Sequence, residues 1–104
     1  MRKIINGLRY DTETAVEVGR ASSGFPVSDF NWWESTLYKT PRSGRFFLAG
    51  EGGPMTRFAQ RVGDMRGYGE GLFPMERTEA LAWAEQYLTA DEIEKHFGDN
   101  VEDA

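Results

Sequence analysis

The chain has 104 residues, 39% of them hydrophobic and 13% aromatic, which is enough for one domain with a modest core. With no cysteine there is neither a disulfide nor thiolate chemistry, a composition that suits a reducing compartment. The net charge of −5 is ordinary for a small domain, no apolar run approaches the ~20 residues of a membrane span, and polar residues soon interrupt the N-terminal MRKIINGLRY, so no signal peptide is expected.

Asn6-Gly7 lies between Lys3-Ile4-Ile5 and Leu8-Arg9-Tyr10, and Asn-Gly is the strongest short signal for a type I′ hairpin turn. Asp11 or Thr12 is then placed to cap a helix over residues 14–20, with Ala15, Val16 and Val18 available for burial. The Ser22-Ser23-Gly24 run or Gly19 would stop it. Phe25 and Phe30 are expected to pack in the loop around Pro26, ahead of Asn31-Trp32-Trp33-Glu34.

The centre of the chain is STLYKTPRSGRFFLAGEGG, residues 35–53. Two strand-favouring runs there flank Pro41-Arg42-Ser43-Gly44, all turn formers, and predict the central hairpin of a small sheet. Gly50 to Pro54 should end it. Met55, Phe58, Ala59 and Val62 fall at positions 0, 3, 4 and 7, the stripe of a one-sided helix with Arg57 and Arg61 outside. Four glycines within residues 63–71 predict a loop, and Leu72-Phe73 a last short strand before Pro74.

Glu76 followed by Glu79 opens the clearest helix, whose Ala80, Leu81, Ala84, Tyr87 and Leu88 form a buried stripe with Trp83 on its flank. Thr89 with Glu92 is a capping box for a second helix, with Ile93 and Phe97 inward and Gly98 at its end. The tail from about residue 99 should fray. Together these elements predict one α+β domain over residues 1–104: a small antiparallel sheet of hairpins with three to four short helices packed on one face.

Most chemistries lack their residues. Neither glycine run is followed by the Lys-Ser/Thr of a phosphate loop, and Glu51 and Glu70 would repel phosphate, so φ > 0 turns explain these glycines better. His96 stands alone, without cysteine or a second histidine, which leaves no zinc site. Seventeen acids always offer some pair, but no spacing marks a catalytic one, so neither an enzyme nor a cofactor is expected. Arg57, Arg61 and Arg66, with Phe58 and Tyr68 between them, are too few for the strongly basic face of a nucleic-acid binder.

Charge distribution is more informative than its total. Residues 76–104 carry nine acids against Arg77 and Lys95, a net −7, which leaves +2 for residues 1–75. Glu76, Glu79, Glu85, Asp91, Glu92, Glu94 and Asp99 would put carboxylates along the last two helices, where they could compete with DNA for a lysine- and arginine-lined groove. Helix faces rich in Glu are also common as mere solubility devices. Phe30, Trp32 and Trp33 are the alternative anchors of a partner surface, although core packing is the more ordinary role for such rings.

Four stretches carry a resemblance: IINGLRYDTETA (4–15), ESTLYKTPRSGRFFLAGEGGP (34–54), LFPMERTEALAWAEQYL (72–88) and ADEIEKHFG (90–98). Together they resemble a family of small acidic proteins carried on bacterial plasmids, prophages and integrative elements, one branch of which acts as an anti-CRISPR against the type I-C system. The resemblance implies a cytoplasmic protein that binds a type I-C Cascade complex stoichiometrically and blocks its access to target DNA. It implies no catalysis, no cofactor, no membrane and no direct nucleic-acid contact. An interaction module that binds another host or plasmid protein through the aromatic loop is the alternative.

Overall fold

A computed structural model describes residues 1–104 as eight strands and two α-helices. β1 (Arg2–Ile5) and β2 (Leu8–Asp11) form a hairpin whose turn has Asn6 at φ 53° and Gly7 at φ 78°, the two positive values a type I′ turn requires. β3 (Val16–Ser22), β4 (Trp33–Lys39), β5 (Phe46–Gly52) and β8 (Gly69–Met75) make an antiparallel sheet in the order β3-β4-β5-β8. β6 (Gln60–Val62) and β7 (Met65–Gly67) form a second small hairpin. α1 (Arg77–Tyr87), α2 (Ala90–Phe97) and a 3₁₀ turn (Gly98–Asn100) complete the chain. The α+β class with antiparallel pairing is as the sequence predicts, with two α-helices and a 3₁₀ turn instead of three to four helices.

The central hairpin forms where its turn residues place it. Thr40 closes the turn by donating its N–H to the Arg45 carbonyl at 2.8 Å and accepting from Arg45 N on its Oγ1 at 2.9 Å, and Gly44 takes φ 65°. The last two helices also start where the caps predict. Glu79 accepts from Glu76 N at 3.1 Å, and Thr89 Oγ1 accepts from Glu92 N at 3.3 Å while Glu92 accepts from Thr89 N at 3.1 Å.

Three expected elements differ. Residues 14–20 form most of β3, not a helix. Asp11 caps only a single turn, its carbonyl accepting from Ala15 N at 3.0 Å, after which Val16 and Val18 enter the sheet as β-branched residues do. The stripe over residues 55–62 is not helical either. Thr56 Oγ1 donates to the Gly53 carbonyl at 2.8 Å and accepts from Phe58 N at 3.2 Å, a local bonding pattern that competes with a helix. Of the four stripe residues only Phe58 is buried. Residues 63–71 contain β7 and the start of β8, so the last strand runs over seven residues.

The helices cover one face of the sheet. Val18, Leu37, Phe46, Leu48 and Phe58 pack there against Ala80, Ala84 and Phe97. Ala80 and Ala84, four residues apart and fully buried, let α1 lie close to the strands. On the other face the β1–β2 hairpin supplies Tyr10 and Ile5 to a smaller cluster with Phe47, Ala49 and Leu72. Leu37, Phe47, Leu48 and Phe97 are the largest fully buried side chains, and each contributes roughly 1.5–3 kcal/mol of burial. The radius of gyration, 14.7 Å, exceeds the ~13 Å of a compact chain of this length, since both small hairpins make few contacts beyond themselves.

Candidate functional site

The helical acids take several directions. Glu76 is the N-cap of α1, and Glu79 is engaged by its carboxylate on the Glu76 N–H. Glu85 is exposed but lies about 180° around the helix from Glu76, at ~100° per residue. On α2, Asp91 and Glu94 share one exposed face, while half-buried Glu92 is held by Thr89. Asp99 is exposed in the 3₁₀ turn. The seven residues therefore spread over two helices and a turn, and three of them (Glu76, Glu79 and Glu92) are engaged in helix caps.

A second set of carboxylates is aligned by the sheet. Glu34 pairs with Glu51 across β4 and β5, and Glu51 pairs with Glu70 across β5 and β8. The register puts three glutamates side by side on the face opposite the helices, with neighbouring Cβ atoms about 4.5–5.5 Å apart. They line an open depression of about 620 Å³ with Ser22, Thr36 and Tyr38. Like charges directly opposite one another destabilise a sheet, so this row is a local cost to the fold.

Little compensates it. Arg20, at the edge of the same depression, is held by Glu17 at 3.0 Å, and that contact raises the Arg20 pKa. It is the only ion pair in the molecule, so sixteen of the seventeen acidic side chains have no cation within 4.0 Å. The one direct partner in the row is Tyr68, whose hydroxyl donates to Oε2 of Glu51. That hydrogen bond, with partial burial and the charges of Glu51, Glu70 and Glu34, pushes the Tyr68 pKa up to about 12. Chemically, three neighbouring carboxylates can accept hydrogen bonds from guanidinium or ammonium groups. No group of three or more His, Cys, Asp or Glu converges to hold a metal ion.

The other sequence candidates are dispersed. Trp32 is buried and stacks on Tyr68 with ring centroids 6.1 Å apart, whereas Trp33 is half-buried edge-on to Tyr87 at 5.2 Å. Only Phe30 of the three is exposed, at 66%. The Arg57 guanidinium lies over the Phe73 ring at 4.6 Å, and Arg61 and Arg66 face one another across the β6–β7 hairpin. None of the three arginines has a carboxylate within 4.0 Å. His96 is half-buried on α2, and burial with nearby Lys95 and Lys39 lowers its pKa.

The glutamate row escapes sequence reasoning because its members lie 17 and 19 residues apart, and only the strand register unites them. The alternation of Glu34, Thr36 and Tyr38 was a partial signal for one exposed strand face. No helix is long and apolar enough to cross a membrane. No protein-family model, no curated protein and no solved structure matches the chain.

Proposed function

We propose that this chain is a non-catalytic binding protein that presents uncompensated carboxylates to a cationic groove on a partner protein. The observation that carries this reading is the Glu34–Glu51–Glu70 row, like charges kept side by side with no basic residue paired to any of them. A charge arrangement that costs stability is a reason to look for a ligand that relieves it. The exposed acids of the helices, Glu85, Asp91 and Glu94, extend the negative surface elsewhere on the molecule.

The resemblance to mobile-element proteins makes the type I-C Cascade complex the partner to test first, with loss of target-DNA binding as the inhibitory effect. The direct experiment is a gel shift of Cascade and its target duplex with increasing amounts of this protein, across a salt series. Loss of the shift at near-equimolar protein, relieved by salt, is the expected outcome. Glu34→Gln with Glu70→Gln should weaken the inhibition, as should Glu85→Lys with Glu94→Lys if the helices also make contact. Failure to bind Cascade at any salt concentration overturns that partner.

A second reading has one observation in its favour. Phe25, Val27, Phe30 and Met55 are exposed by 50–71% in two loops joined by a hydrogen bond from Met55 N to the Phe30 carbonyl at 2.9 Å. Inhibition that is insensitive to salt and lost in Phe30→Ala would place the interface on these side chains.

A further inference from the structure

A cleft on the helix-covered side of the sheet has the lining of a small-molecule site. It has a volume of about 460 Å³, within the usual size range for ligand pockets. Trp33, Phe58, Trp83 and Tyr87 supply aromatic walls, with Leu48 beneath and Phe25 and Met55 at the rim. α1 contributes Trp83 and Tyr87, whose rings are 5.2 Å apart, and Tyr87 in turn meets Trp33 edge-on.

The polar side chains in this lining are sparse, and of them Thr56 alone is hydrogen-bonded within the protein. Ser35 is 95% buried, and its Oγ is the one buried side-chain polar atom in the protein without a hydrogen-bond partner. Strand alternation places Ser35 on the same face as Trp33 and Leu37, so its side chain belongs to this cleft. A buried hydroxyl without a partner is costly and calls for an explanation. Arg57 is exposed and has no carboxylate within 4.0 Å, although the protein carries a net charge of −5. None of the residues lining the cleft is acidic. The side-chain amides of Asn31 and Gln86, also in the lining, have no hydrogen bond within the protein.

From these features we infer that the cleft binds a small planar aromatic anion. Its ring would lie among Trp33, Trp83 and Tyr87, where ring–ring contacts are favourable. Its anionic group would meet the Arg57 guanidinium, which lies over the Phe73 ring but has no carboxylate partner and is suited to one. The Ser35 hydroxyl would gain a partner from a polar atom on the buried edge of the ligand. This site is separate from the carboxylate row, which lies on the opposite face of the sheet.

The test is a titration of the full chain with 1-naphthoate and with its neutral counterpart 1-naphthalenemethanol, followed by the three tryptophan indole N–H resonances. The resonances of Trp33 and Trp83 should move in a saturable way while that of Trp32, which is outside the cleft, stays in place. Naphthoate should bind at least tenfold more tightly than the alcohol. Arg57→Gln, a change at an exposed position, should abolish that preference. Ser35→Ala should weaken naphthoate binding about threefold or more without lowering thermal stability, since it removes an unpaired polar group. Absence of saturable shifts at millimolar naphthoate overturns the inference, as does equal affinity for acid and alcohol. Binding left unchanged by both substitutions also overturns it, because the probe then sits elsewhere.

Discussion

Tyr68 donates its hydroxyl to Oε2 of Glu51, the middle carboxylate of a row that also contains Glu34 and Glu70. The phenol is thereby a built-in reporter of the negative potential on that face. Its pKa is pushed up to about 12, first by the hydrogen bond, then by burial and by the three glutamate charges. The raised value means that the folded state holds this proton more tightly than the unfolded chain does. The stabilising contribution is complete below the ordinary tyrosine pKa near 10 and is lost as pH rises through about 12. Absorbance at 295 nm should show one phenolate forming near pH 12, and Tyr68→Phe should delete that step. Glu70→Gln should move it down. An alkaline titration identical in Tyr68→Phe and the parent protein would remove Tyr68 from this role.

The same row sets a stability prediction. Because Glu51 has a glutamate on each side, removing one neighbour relieves a direct repulsion. Glu70→Gln should raise stability by roughly 0.2–1 kcal/mol in urea unfolding at low salt. Salt should shrink that gain, because the side chains are exposed enough to be screened. If the row serves a cationic partner, the stabilised variant should bind that partner more weakly. A stabilised variant with full affinity would separate the row from function.

How far the sequence discloses the fold depends on whether a signal is local. Asn6-Gly7, the Pro41–Gly44 turn and the two helix caps act within a few residues, and each appears where its chemistry places it. The glycines of β5 and β8 do not. Gly50 pairs with Gly71 and Gly52 with Gly69, so glycines that suggest turns in the sequence instead form a bare patch in the sheet. The 53–59 loop packs over that patch, with Phe58 close to Gly69 and Gly71. Likewise Val16 and Val18 alternate around Glu17 as a strand should, but a register shift between Glu17 and Gly19 interrupts the pattern. The helical acids of the candidate site follow from composition, whereas the sheet row requires a register that no local signal encodes.

Gly50 tests that account of the patch. A Cβ there would come within 2.3 Å of the Glu34 carbonyl oxygen and 2.7 Å of Ser35 Cα, both backbone atoms that cannot swing aside. Gly50→Ala should therefore force β4 and β5 apart and cost about 1–3 kcal/mol in urea unfolding. Were Gly50 merely a loop residue, alanine would be neutral or mildly stabilising. The sign of the change distinguishes the two cases.

His96 gives a pH dependence of the opposite sense to Tyr68. Burial is the first cause of its lowered pKa, followed by the cations Lys95 and Lys39, with Glu92 opposing them. The folded state binds this proton less readily than the unfolded chain, whose histidine pKa is near 6.5. The histidine's contribution is therefore present above about pH 6.5 and is lost as pH falls through the lower folded value. Because His96 is the sole histidine, its ring C–H resonance can be followed without ambiguity. It should titrate below 6.5, and His96→Gln should flatten the stability profile across that window. A midpoint above 6.5 would mean that Glu92 outweighs the lysines.

Phe97 fixes the end of α2 to the sheet. Its ring is fully buried and stacks on Phe46 at 4.8 Å with planes 12° apart. The Arg77 guanidinium lies 5.4 Å from the Phe97 centroid and 5.7 Å from that of Phe46, while its Nε donates to Asn100 Oδ1 at 2.8 Å. One arginine at the start of α1 thus bridges the aromatic stack and the 3₁₀ turn. Phe97→Ala should cost roughly 3–5 kcal/mol, a large part of the stability of a domain this size. Arg77→Gln should cost about 0.5–1 kcal/mol, as expected for a cation–ring contact made by an exposed arginine. The two losses should be non-additive, because Arg77 loses one of its rings when Phe97 is gone. A double-mutant cycle in urea that returns strict additivity would show that Arg77 contributes only through Asn100.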